Sequence, residues 1–357
     1  MSAERDRAID TIRAFAICGV VLGHWLVTGL VLGPGGGLDQ ASPLSALPSF
    51  APATWVLQTL GLFFFAGGYA AARSRRPIGR RLLRLALPVA GLGALWTLVL
   101  LTAAMAGVPT VTLDTVGTLV VSPLWFLLPF VGLLALTDPL RRIGPLVALP
   151  AVAVVGLADA GIGFLPLTVL AAWLVPYTLG IALATGHLRR PATGAALLVG
   201  GAAVLAVLVR WFDYPMSAVG VPGDGRSNLS PPSLFTVALG AAQVGLALLV
   251  RPWLNRRPTS PIVTTINRAA MPIYLWHQSA LIAVVAGMAW ITGGAPVPGL
   301  HTAPDGLPWV AARVFWFPVL ATVLAAACAI FPTPGGRVDT ARRPISQVGA
   351  AGARGVG

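Results

Sequence analysis

A lone histidine interrupts the apolar stretch RAIDTIRAFAICGVVLGHWLVTGLVL, residues 7–32. An imidazole that titrates near neutrality can take a proton from a hydroxyl, so His24 is a candidate general base. Arg13 lies eleven residues earlier. That spacing is close to three helical turns, so the two side chains share one helix face, about 16 Å apart along the axis. Asp10, three residues before Arg13, can pair with it on the same surface. A second ring, His277 in MPIYLWHQSAL, follows Arg268 by nine residues, about 13 Å of helix. With both arginines at one interface, His24 and His277 reach a similar depth and can share a site. The alternatives are plainer: a neutral His24 bonded to a neighbouring helix, and Tyr274, Trp276 and His277 as packing and interface groups.

Six arginines, Arg73, Arg75, Arg76, Arg80, Arg81 and Arg84, crowd between two apolar runs. A planar guanidinium fits phosphate oxygens as a bidentate fork. Arg73, Arg75 and Arg76 read mainly as topology markers in contact with anionic headgroups. Arg80, Arg81 and Arg84 abut the next apolar run, where at least one should face the mouth of a helix bundle. Trp125 and Phe126 read first as packing groups that can also line a path between helices. None of the eleven acids sits well inside an apolar run, and His187 and His301 fall in loops. No H-E-x-x-H, no clustered Cys or His, no G-x-x-x-x-G-K-[ST] and no G-x-S-x-G occurs. A metal centre, a P-loop and a serine elbow are therefore not expected.

The elements that must position these groups are transmembrane helices. Of 357 residues, 56% are hydrophobic and only 10% charged, and the mean hydropathy is +0.83. A soluble domain carries charge on about a quarter of its positions, so lipid must solvate most of this surface. Runs long enough for a hydrocarbon core of about 30 Å recur at 11–32, 54–72, 84–106, 117–137, 144–162, 165–185, 193–211, 233–250, 269–292 and 308–331. This predicts an all-α integral membrane bundle of about ten transmembrane helices within residues 1–331. A disordered basic tail, 332–357, is expected to follow. Placing the N-terminus inside and alternating sides puts 21 of the 24 basic residues, all arginine, on one side and three on the other. Both termini are therefore expected in the cytoplasm, with the chain multi-pass in the plasma membrane. The net charge of +13 rests on these short clusters, which argue for membrane topology and against a nucleic-acid partner. Cys18 and Cys328 both lie inside apolar runs and predict no disulfide framework.

The sequence IDTIR, with R-x10-H from Arg13 to His24, resembles the first helix of the acyltransferase-3 family of membrane acyltransferases. Four later stretches agree: GRRLLRLALPV (79–89), SPLWFLLPF (122–130), SPPSLFTVALGAAQVGL (230–246) and MPIYLWHQSAL (271–281). The resemblance spans residues 5 to about 331. It departs from the family pattern in its third-helix arginines, which read Arg80, Arg81, then Arg84 rather than Arg-x-Arg. It departs again at Pro123, where many relatives carry a polar residue or His. The resemblance implies an O-acyltransferase that moves an acyl group, by default acetyl, from acyl-coenzyme A to a hydroxyl of a carbohydrate or other small acceptor. No tightly bound cofactor is implied. Arg80, Arg81 or Arg84 would hold the donor's phosphates while the pantetheine arm reaches inward, and His24 would be the base. Arg13 would hold the donor or set the site's electrostatics through Asp10, and Trp125, Phe126, Tyr274 and His277 would line the pocket. A route through a transient acyl-His24 stays open. From a different functional class, a transporter or flippase for a lipid or sugar conjugate also fits ten helices and a midmembrane histidine. Against it stand the missing intramembrane carboxylates and the lack of symmetry between halves.

Overall fold

Where water is absent, every backbone N–H and C=O must find a partner within the chain, so long apolar runs become helices. The structure is a computed structural model that describes residues 6–332 except 34, 75, 189 and 259. Among the described residues, nine helices are long and apolar enough to cross a bilayer. The number reaches ten only when a bent pair, Thr137–Ile143 and Pro145–Asp159, meeting at 103°, is counted as one span; one straight span over 144–162 was expected there. Gly144 makes that bend with a φ of 86°, and Pro145 opens the following turn, where a missing N–H does no harm. The chain is an all-α, multi-pass membrane bundle. The expected tail from 333 onward, and Arg75, lie outside the described residues.

Helix α1 (Arg7–Val27) is capped by Asp6, whose carboxylate accepts the Ile9 N–H at 3.3 Å. The same carboxylate accepts from Arg251 Nη2 at 2.7 Å and from the Tyr69 hydroxyl at 3.3 Å, which ties the start of α1 to two neighbours. The helix ends five residues short of the expected 32. Gly29–Leu32 (β1) instead pairs antiparallel with Leu38–Ala41 (β2), Gly29 opposite Ala41. Thr28, Gly29 and Val31 are weak helix formers, and an apolar run cannot by itself distinguish a helix end from a buried strand. The hairpin is held to the bundle where Leu32 N–H donates to the His301 carbonyl at 3.1 Å and Leu38 N–H to Thr112 Oγ1 at 2.9 Å.

The remaining long helices are α2 (Leu60–Arg73), α3 (Ile78–Met105), α4 (Thr110–Val121), α5 (Leu127–Ala135), α6 (Ala148–Asp159), α7 (Leu165–Ala184), α8 (Pro191–Trp211), α9 (Leu234–Arg256), α10 (Ala270–Ile291) and α11 (Leu307–Ile330). Helices α1, α2, α7, α9 and α10 form the buried interior, whereas α3, α8 and α11 expose most of their apolar surface, as lipid-facing helices do. Lipid offers no hydrophobic drive for helices to associate, so small residues that allow close backbone approach do that work. At the crossing of α2 and α7, a Cβ on Gly68 would collide with the Tyr177 carbonyl, and one on Gly180 with the Phe65 carbonyl.

Two spans are interrupted at depth. The second runs from Pro48 to Arg73, starting earlier than the expected 54, and breaks at Gln58–Thr59. The fourth runs from Thr110 to Ala135 and tightens into a 3-10 turn over Ser122–Phe126. Its early turns hold Asp114 and several threonines. These lower the local hydropathy and hid its start, expected at 117. Because α3 begins at Ile78 and not at 84, Arg80, Arg81 and Arg84 occupy its first turns. Broken backbone survives at membrane depth only where protein covers it or where it lines a cavity. Both conditions hold at Gln58, whose carbonyl accepts from Gln243 Nε2 at 2.9 Å, beside Thr59, whose hydroxyl donates to the Ala16 carbonyl at 2.7 Å.

Candidate active site

Both breaks open onto one cavity of about 230 Å³ on the hairpin side of the bundle. His24 from α1, Gln58 from the first break, Trp125 and Phe126 from the second, and Tyr274 and Gln278 from α10 line its walls. Gln40 of β2 and Gly220 and Pro222 of the loop between α8 and α9 contribute to its lining. That loop is anchored by the Tyr214 hydroxyl, which donates to Asp159 Oδ2 at 2.6 Å, and by Asn228, whose Nδ2 donates to the carbonyls of Pro215 and Ser217. Burial, and the Asp159 carboxylate that accepts its hydrogen bond, push the Tyr214 phenol up to about 12.

The imidazole of His24 sits with Nδ1 3.1 Å from the side-chain amide of Gln278. Two protonation patterns suit that contact: the amide N–H donates to a bare Nδ1, or the amide turned by 180° accepts from Nδ1–H. The second leaves the Nε2 lone pair free for a substrate. His277 stands beside it, the two ring centroids 5.0 Å apart and the planes at 72°. Its Nδ1 lies 2.6 Å from the Tyr274 carbonyl, which can only accept, so Nδ1 carries the proton and Nε2 the lone pair. That Nε2 is buried and has no hydrogen-bond partner among the described residues. The Trp25 indole, donating to the His277 carbonyl at 2.9 Å, and the Tyr274 hydroxyl, donating to the Pro123 carbonyl, lock α10 against α1 and the 3-10 turn.

A second cavity, of about 300 Å³, lies on the arginine side and is lined by Arg13, Arg76 and Arg81 with Phe63, Gly67, Ser74 and Phe130. Arg81 Nη2 donates to the Ser74 carbonyl at 2.8 Å, and its Nε is buried without a partner. Asp10 lies within Coulombic reach of Arg13. The two cavities are separated by rings: Phe63, on the arginine side, meets Phe126, on the histidine side, edge to face at 5.2 Å. Over residues 6–332 the sequence matches the family model described as an acyltransferase domain. The chain belongs to the acyltransferase-3 family. No curated protein and no solved structure matches it.

In this acyltransferase, His24, Trp125, Phe126 and Tyr274 meet around one cavity, and His277 stands directly behind His24. Arg13 and Arg81 meet around the other, while Arg80 and Arg84 are exposed and do not line it. Arg76, which the sequence marks mainly as a topology residue, does line it. The sequence reading also passed over Gln278 and Gln58. Both are amides inside apolar runs, and the rule that singled out His24 applies equally to them: a polar group at that depth needs a partner or a ligand.

Proposed function

We propose that this multi-pass acyltransferase moves an acyl group, by default acetyl, from acyl-coenzyme A to a hydroxyl of a small acceptor, with His24 as general base. The observation that carries this reading is one helix, α1, presenting Arg13 to an arginine-lined cavity at one end and His24 to an amide-supported cavity at the other. The arginine side faces the cytoplasm, a placement that the arginine asymmetry between the loops supports. Arg13, Arg76 and Arg81 hold the donor's phosphates there. The pantetheine arm passes between Phe63 and Phe126 and delivers the thioester to His24. Gln278 Oε1 accepts from His24 Nδ1–H, so Nε2 takes the acceptor's proton as that oxygen attacks the thioester carbonyl. The C–S bond then breaks, and the leaving thiolate recovers the proton from His24, giving ester and free coenzyme A.

The test is His24→Ala in the purified protein, with acetyl-coenzyme A as donor and release of free thiol as the readout. Removing a general base slows the step by about 10²- to 10⁴-fold, while folding and membrane insertion persist. Undiminished transfer in that variant would falsify the assignment. Thermal stabilisation of the wild type by acetyl-coenzyme A, but not by dephosphorylated pantetheine, supports the phosphate clamp.

A further inference from the structure

Helices α3 and α11 both pack on α10, and both leave most of their apolar surface outside the bundle. Between them runs a cleft in two stretches that meet at Trp276 and Phe331. The stretch nearer the start of α3, about 330 Å³, is walled by Leu87, Gly91, Leu92 and Leu275. The stretch beyond it, about 520 Å³, has Leu95 and Ala103 on one wall, Val323 and Ala326 on the other, and Ala283 and Ala286 of α10 as its floor. No charged side chain among the described residues lines either stretch. The Trp96 indole donates to Ser279 Oγ at 2.9 Å, and Thr112 Oγ1 accepts the Leu38 N–H at 2.9 Å, so these polar groups of the wall are engaged within the protein. Such a wall fits hydrocarbon, and an empty one forfeits the dispersion contacts its lining atoms could make.

The two ends of the cleft differ in charge. Arg80 and Arg84 are exposed in the first turns of α3. With Leu87 and Gly91 they fall at i, i+4, i+7 and i+11, so all four share one helix face. At the far end the exposed acid Asp114 follows Leu113, which lines the cleft. Between Leu87 and Ala103 the cleft follows α3 for about 24 Å, most of a hydrocarbon core of about 30 Å. We infer that this cleft binds one anionic phospholipid, with an acyl chain lying on α10 between α3 and α11 and the phosphate on Arg80 and Arg84. A guanidinium pairs with phosphate oxygens in a fork, and arginines just outside the hydrocarbon attract anionic headgroups. Asp114 disfavours the same headgroup at the opposite end. Neither Arg80 nor Arg84 lines the arginine-side cavity, so the inference does not depend on the acyl-transfer reading.

The experiment reconstitutes the full chain in nanodiscs of equal parts phosphatidylglycerol and phosphatidylcholine, then releases it into mild detergent. Native mass spectrometry counts the lipids that stay with each chain. One phosphatidylglycerol per chain is expected to remain, in clear excess over phosphatidylcholine. Each arginine should contribute roughly fivefold to that preference, so Arg80→Ala and Arg84→Ala should each lower it by about that factor, and together by their product. Both side chains are exposed, so these variants keep the fold. Ala283→Phe fills the floor of the cleft from an exposed position and should abolish retention of the lipid. Ala94→Phe, the same change at an exposed position of α3 outside the cleft, should not. Equal retention of the two lipids by the wild type, an unchanged preference in the double arginine variant, or undiminished retention in Ala283→Phe each overturns the inference. So does a loss in Ala94→Phe as large as that in Ala283→Phe, which would mark unspecific contact with the bilayer. A dimer mass that replaces the lipid adduct would put a second copy of the chain in the cleft and overturn it as well.

Discussion

The most discriminating perturbation of the proposed chemistry is Gln278→Leu. The residue is almost wholly buried, and its amide lies 3.1 Å from His24 Nδ1. Leucine preserves much of the volume and removes only the hydrogen bond. That bond joins two neutral groups, so its net worth is about 0.5–1.5 kcal/mol. If its task is to hold the ring with Nε2 toward the acceptor, losing it lowers the productive fraction by roughly 2- to 12-fold, since each 1.4 kcal/mol is about tenfold. The expected result is a fall of that size in kcat with the KM of both substrates unchanged, against about 10²- to 10⁴-fold for His24→Ala. Because Gln278 acts only through His24, the double variant should be no slower than His24→Ala alone, so the two effects should not add. Single-turnover thiol release in nanodiscs measures all four corners of this cycle. A double variant slowed by the full product of the two effects would show that Gln278 works independently of the imidazole. A Gln278→Leu loss as large as that of His24→Ala would show that the amide takes part in the chemistry itself.

Two further outcomes follow from the geometry. Arg81, half-buried and facing the second cavity, should matter to the donor far more than its exposed neighbours: Arg81→Ala should raise the donor's KM roughly 10- to 150-fold, the worth of a charge-assisted hydrogen bond, and Arg80→Ala and Arg84→Ala less than about threefold; equal effects at all three in steady-state kinetics would refute the clamp. Tyr214 is neutral when bonded to the Asp159 carboxylate, and its folded-state value is raised to about 12 from an ordinary 10. Its contribution to stability is therefore fully present below about pH 10 and lost as pH rises through about 12. Tyr214→Phe should cost about 1.5 kcal/mol at neutral pH and flatten that alkaline limb of the melting profile, whereas an unchanged limb would assign it to another group.

How far the sequence reaches depends on what each residue's neighbours must supply. The helical bundle and the common depth of His24 and His277 are legible because apolar length and the rise per residue are local properties. A backbone that breaks at depth is not legible in that way. Gln58 and Thr59 interrupt a run whose composition reads as continuous, and the interruption exists because Gln243 of α9 and Ala16 of α1 satisfy it. The same holds for the end of α1, where Gly29–Leu32 leaves the helix only because Leu38–Ala41 is there to pair with it. Among the arginines, composition marks the cluster, but the side that faces inward depends on helical phase. That phase is set by α3 beginning at Ile78, which puts Arg81 on the cavity and leaves Arg80 and Arg84 exposed. Gln278 differs, because its partner is a residue that the sequence already singles out. An amide two turns inside an apolar helix raises the same question of partnership as a histidine, and its pairing with His24 answers both.

The partition between the cavities gives these separate placements a common sense. Phe63 and Phe126 meet edge to face at 5.2 Å, and Phe130 packs on Phe63 at 5.4 Å, so the barrier is a layer of rings rather than a packed helix. A layer of that kind can part for a narrow thioester arm while continuing to exclude ions and bulk water. On the proposed reading water exclusion matters, because a thioester beside a general base hydrolyses if water reaches both. On the proposed reading, the donor's charge stays among the arginines, where desolvating it is unnecessary, and only the neutral arm and acyl group cross. That division explains why the histidine-side wall carries amides and hydroxyls and the other side guanidinium groups: each cavity meets a ligand of the polarity it can solvate.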